Sequence, residues 1–137
     1  MQFRKDKDKI LIIDFGSQVT KLIARRIRDL GVYSEIITPQ ELKKLKKFYN
    51  IKGFVFSGGP STVIHKKFQN VPKEIFEKNI PILGICYGLQ LIAKVFGGKI
   101  KASRKKREFG RAILSNHKSS LLTKNFLVSK RLVWMSH

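Results

Sequence analysis

The chain has 137 residues, enough for one domain with a real core, and its 42% apolar content is ordinary for a globular protein. Twenty-nine Lys and Arg against nine Asp and Glu give a net charge of +20, and a single cysteine excludes an internal disulfide and fits a reducing, cytoplasmic setting. The charged start, residues 1–8, has no apolar signal-peptide core, and no apolar run approaches the length of a membrane span.

After that tail, residues 9–137 alternate strand and helix patterns. Lys9 to Phe15 is a continuous apolar run of the kind found in parallel sheets covered on both faces. Gly16-Ser17-Gln18 turns it into a helix predicted over Val19 to Leu30, with Val19, Leu22, Ile23, Ile27 and Leu30 inward and Gly31 as the stop. Tyr33 to Ile37 reads as a second strand. Thr38-Pro39-Gln40-Glu41 then opens a short helix with proline in its first turn. Gly53 to Ser57 is a third strand running into Gly58-Gly59-Pro60-Ser61. Residues 62 to 72 read as loop, and a short helix follows near Pro72 to Lys78.

Ile80 to Ile85 is a buried strand ending in Gly84-Ile85-Cys86-Tyr87-Gly88. A helix follows from Leu89 to Phe96, with Leu89, Ile92, Ala93 and Phe96 on one face and Gly97-Gly98 at its end. A short strand is expected at Lys99 to Ala102, a basic loop at Ser103 to Arg107, and two further strands at Phe109 to Leu114 and Leu132 to Ser136. Such alternation implies an α/β fold with a mostly parallel central sheet and helices on both faces. The turns at Gly16, Gly58 and Cys86 should share the C-terminal edge of the sheet, where ligands bind in such folds.

The strand–turn–helix bend presents the only cysteine between two glycines, at the N-terminal, positive end of a helix. With serine the same construction is the nucleophile elbow of hydrolases. A structural cysteine in a turn is the simpler alternative, but glycines on both sides at a spacing of two favour a nucleophile, Cys86. The Tyr87 N–H is placed to bind an oxyanion. Gly59, after the neighbouring strand, is the natural second donor. Two amide donors beside a thiol suit attack on a carbonyl carbon, hence acyl transfer.

Gly84-Ile85-Cys86-Tyr87-Gly88-Leu89-Gln90 with Ser57-Gly58-Gly59-Pro60 resembles the class I, triad-type glutamine amidotransferases. Asp14-Phe15-Gly16-Ser17-Gln18, Ile23-Ala24-Arg25-Arg26, Arg107-Glu108-Phe109-Gly110 and Val133-Trp134-Met135-Ser136-His137 narrow the likeness to the amidotransferase domains of GMP synthases, over nearly the whole chain. The resemblance implies a flavodoxin-like topology. It implies that Cys86 attacks the glutamine carboxamide, that Gly59 and Tyr87 supply the oxyanion N–H groups, and that Gln90, Ser136 and His137 hold the substrate. It implies no metal and no cofactor in this chain. ATP and magnesium would act in a partner ATP-pyrophosphatase domain or subunit, which uses the ammonia to aminate XMP to GMP.

One departure bears on chemistry. The family's His-x-Glu segment, which supplies the general base, does not occur: no glutamate follows His65, His117 or His137 by two residues. None of the three reads as a substitute base. Residues 9–137 are therefore expected to be a partial domain, weakly active or inactive alone, with its C-terminal part missing and some of the sheet uncovered.

Three other readings are possible. One is a non-catalytic amidotransferase-like module that binds a partner synthetase. Another is a cysteine hydrolase on the same elbow, which Gln90 and Glu108-Phe109-Gly110 disfavour. The third is a nucleic-acid binder suggested by the +20 charge. Lysines outnumber arginines more than two to one, lie scattered over predicted helix faces and loops, and form no aromatic-interleaved basic motif, so the charge reads as compositional bias.

Overall fold

The computed structural model describes residues 7–61, 63, 69–101, 109–115, 120–124 and 130–136. They fall into two compact units, Met1–Lys101 and Ala102–His137.

The first unit is a four-stranded parallel sheet in the order β2-β1-β3-β4. Its strands are β1 (Lys9–Ile13), β2 (Ser34–Ile37), β3 (Ile51–Phe56) and β4 (Ile82–Gly84). This is the flavodoxin-like order, with the chain reversing its direction of progress between β1 and β3. Alternation along the strands feeds two cores. Leu11, Ile13, Phe54 and Phe56 point to one face and pack with Leu42, Ile75, Tyr87 and Leu91. Ile12 and Val55 point to the other and pack with Ala24, Ile23 and Ile27. Helices thus cover both faces, as the continuous apolar strands require.

Helix α1 (Thr20–Asp29) lies on the second face. Its inward residues are Thr20, Ile23, Ala24 and Ile27, whereas Val19, Leu22 and Leu30 are exposed. The expected face was thus out of phase by about one residue. Small Thr20 and Ala24 let the helix sit close to the sheet, and the Ser34 hydroxyl donates to the Ala24 carbonyl at 3.1 Å. Gly31, at φ +77°, ends α1 as its position suggested.

Helix α2 (Pro39–Lys44) starts in a full capping box. The Glu41 N–H donates to Thr38 Oγ1 (3.2 Å), and the Thr38 N–H donates to Glu41 Oε2 (2.7 Å). These bonds satisfy donors the helix leaves free. The expected helix near residue 75 is a 3-10 helix (Lys73–Glu77) that drives Ile75 into the core. Helix α3 (Tyr87–Val95) begins two residues before its expected start and buries Tyr87, Gly88 and Leu91. Leu89 and Phe96, expected inside, are exposed. No strand forms over Lys99–Lys101, and the rest of that expected strand lies outside the described residues.

The second unit contains an antiparallel ribbon, β5 (Phe109–Leu114) with β6 (Arg131–Ser136), as the sequence suggested. Among the described residues, no helix is long and apolar enough to cross a membrane.

Candidate active site

Three chain segments leave the C-terminal edge of the sheet side by side. After β1, Asp14 Oδ1 accepts from the Gly16 N–H (2.9 Å) and from Thr20 Oγ1 (2.8 Å), folding residues 14–20 into the turn that starts α1. After β3 come Ser57, Gly58 and Gly59. After β4 comes Cys86. A methyl group set on Gly58 would stand 3.6 Å from Cys86 Cβ and 3.7 Å from Ser17 Oγ, so the three turns meet at one corner, as expected.

Cys86 is solvent-exposed and has φ 48° and ψ −106°. The other left-handed non-glycine residues described are Asn50 and Asn79, a type that tolerates this region; cysteine there is an outlier. Holding it costs about 1–3 kcal/mol, so the surroundings must enforce it. They do so by close approach. The Ile85 N–H donates to the Phe56 carbonyl (2.9 Å), and the Gly88 N–H is shared between the Ser57 (3.1 Å) and Ile85 (2.9 Å) carbonyls. A Cβ on Gly88 would overlap the Phe56 carbonyl oxygen, and one on Gly84 would lie 2.7 Å from the Leu89 nitrogen. Neither glycine is there for its own φ. Both lack a side chain so that the bend can press against β3 and α3, and the strained backbone falls on the cysteine between them.

Tyr87 opens α3, where the first N–H groups have no helical acceptor. Among the described residues, neither the Tyr87 nor the Gly59 N–H donates to a backbone carbonyl. The Tyr87 ring is buried against Phe15, with centroids 4.9 Å apart, and its hydroxyl donates to the Gln69 carbonyl (3.0 Å). Burial pushes its phenol pKa up. Gln90 Oε1 accepts from the Val63 N–H (3.4 Å), and Lys94 Nζ donates to the Val63 carbonyl (2.7 Å). Gln90 therefore ties α3 to the chain beyond the Gly58-Gly59 turn.

Cys86, Tyr87, Gln90 and Gly59 are thus gathered around the corner where β3 and β4 end. Ser136 ends β6 in the second unit. His137, His65, His117 and Glu108 lie outside the described residues. Among the described residues, no group of three His, Cys, Asp or Glu is placed to hold a metal ion. Sequence reasoning passed over Ser57, a fully buried polar residue at the end of an apolar strand, just before Gly-Gly. Its one signal was that polarity where the strand pattern calls for an apolar side chain.

A doubly wound parallel sheet with a cysteine elbow at its C-terminal edge defines a class of enzyme folds, and the match to known families is specific. Residues 11–137 match the class-I glutamine amidotransferase family, and the chain belongs to it. It is 46% identical over 138 residues to the glutamine-hydrolyzing GMP synthase of Bacillus cytotoxicus, and 47% identical over 135 residues to that of Treponema denticola. Each alignment covers 98% of this chain but only 26% and 25% of the relative, so the chain spans about a quarter of the length of these relatives. Among solved structures, a GMP synthase subunit from Thermoplasma acidophilum superposes with a TM-score of 0.76 at 35% identity. The match covers 94% of this chain and 64% of that one.

Proposed function

We propose that this chain provides the glutamine-hydrolysing site of a GMP-synthase-type amidotransferase. The observation that carries the proposal is the exposed Cys86, held in a left-handed conformation beside the free amides of Tyr87 and Gly59. The Cys86 sulfur adds to the carboxamide carbon of glutamine. The carbonyl oxygen takes up the negative charge and is held by the two N–H groups, an interaction stronger in the transition state than before it. The C–N bond then breaks, the nitrogen gains a proton and leaves as ammonia, and a thioester remains on Cys86. Water cleaves the thioester to glutamate and restores the thiol.

Gln90, Ser136 and His137 are assigned to holding the substrate. Gln90's bond to Val63 adds a second task, fixing the turn beside the site. The proton shuttle needs a base, and these 137 residues contain no His-x-Glu. The released ammonia serves an ATP-pyrophosphatase unit that aminates XMP, and ATP and magnesium act there.

Ammonia release from glutamine tests this reading. A polypeptide of these 137 residues alone should give little turnover. Adding a segment that carries His-x-Glu should raise it at least about a hundredfold, the scale of general acid–base catalysis. Cys86→Ala should remove it. Turnover that survives Cys86→Ala would refute the assignment.

A further inference from the structure

We infer that Ser57 is a positioning residue that sets the orientation of the Gly58–Gly59 peptide, and through it the direction of the Gly59 N–H. The inference rests on the amidotransferase reading above and adds a residue to it.

Ser57 is fully buried, and all of its polar groups are engaged. Its N–H donates to the Ile13 carbonyl at the end of β1 (3.1 Å), and its carbonyl accepts from the Gly88 N–H of the elbow (3.1 Å). Its Oγ accepts from the Phe15 N–H (3.0 Å) and donates its own proton to the Gly58 carbonyl (2.9 Å). One residue therefore joins the ends of β1 and β3 to the elbow, and its hydroxyl governs the peptide that follows.

The Gly58 carbonyl and the Gly59 N–H belong to the same peptide unit. The described peptide bonds are all trans, so C=O and N–H point in opposite directions. The Ser57 hydroxyl is inside the protein, and it draws the Gly58 oxygen inward. The Gly59 hydrogen must then point outward, to the corner where Cys86 stands. A peptide between two glycines has little intrinsic preference against turning over. Reversed, it would present a carbonyl oxygen to a developing oxyanion, which repels rather than binds it. The Ser57 hydroxyl, itself oriented by the Phe15 N–H, supplies the missing preference without touching substrate.

The test separates this role from plain structural support. Cys86 is alkylated with a glutamine-like chloromethyl ketone, whose capture passes through a carbonyl addition that needs the oxyanion donors. Iodoacetamide, which reacts by direct displacement, serves as the comparison. Both reactions are run at about pH 9, where ordinary thiols ionise unaided. In Ser57→Ala the limiting ketone rate should fall about tenfold or more, part of the hundredfold or greater loss seen when an oxyanion donor is removed outright. The half-saturating ketone concentration and the iodoacetamide rate should stay within about twofold, and Ser57→Thr should restore the ketone rate. An unchanged ketone rate in Ser57→Ala, or equal losses with both reagents, overturns the inference and leaves the amidotransferase reading standing. If the unmodified chain shows no preference for the L over the D ketone, that reading falls and the inference with it. Should Ser57→Ala not fold, the Gly59 amide proton of the unmodified chain decides the matter by NMR: a downfield shift on ketone capture supports the orientation, and no shift overturns it.

Discussion

At the scale of single residues, the strain at Cys86 is imposed by its neighbours. Gly84 and Gly88 are fixed by contact with α3 and β3, and the cysteine absorbs the unfavourable backbone angles. Gly88 is the sharper case, because any Cβ there would meet the Phe56 carbonyl oxygen in the middle of the sheet. Gly88→Ala must push the elbow off β3, breaking the Gly88 N–H bond to Ser57 and displacing the sulfur. The expected cost is about 2–3 kcal/mol, as for other overpacked interiors, read as a lowered midpoint in urea. A midpoint unchanged from the unmodified chain would contradict this account of the bend. The Gly-x-Cys-x-Gly pattern was legible because glycine at both positions has few other uses. Ser57 was not, because the role of a buried hydroxyl depends on which carbonyl it faces, and sequence carries no such direction.

At the scale of elements, strands were easier to locate than helix faces. The runs at Lys9–Ile13, Ile51–Phe56 and Phe109–Leu114 stand near their expected places because apolar or alternating runs between turns have few other uses. The phases of α1 and α3 were misjudged for a shared reason. Apolar residues cover most of α3, Tyr87 to Val95, so several faces are apolar enough and the sheet decides among them. In α1 the inward positions include Thr20 and Ala24, chosen for size rather than hydrophobicity. Helix α2 shows the opposite case, since Thr38-Pro39-Gln40-Glu41 announces its own start. The Thr38 backbone N–H, and then its hydroxyl, hold the Glu41 carboxyl below its usual pKa. A depressed carboxylate contributes stability that is present above its unfolded value, about pH 4.3, and is lost as pH falls through the lower folded value. Thr38→Ala should cost about 1 kcal/mol at neutral pH. Glu41→Gln should flatten the acid limb of the stability curve below about pH 4.3, measured by urea unfolding at a series of pH values. An unaltered limb would show that the box contributes nothing in solution.

At the scale of the molecule, the four-stranded sheet brings together turns far apart in sequence, at Ser17, Gly58 and Cys86, and this convergence followed from strand–helix alternation. The sheet is not evenly covered. Leu83 on β4 sits opposite Val55 yet is 40% exposed, so among the described residues α1 leaves that end of its face open. The +20 charge falls largely outside the corner; Lys43, Lys44, Lys46 and Lys47 lie on exposed or half-buried positions around α2. What holds the account together is the pairing of a strained thiol with two amide donors. Its most direct test is mass spectrometry of the chain treated with a limiting amount of glutamine-like chloromethyl ketone, with and without excess L-glutamine. The account expects one adduct, on Cys86, suppressed by L-glutamine but not by D-glutamine. Labelling of Cys86 that ignores L-glutamine would contradict it.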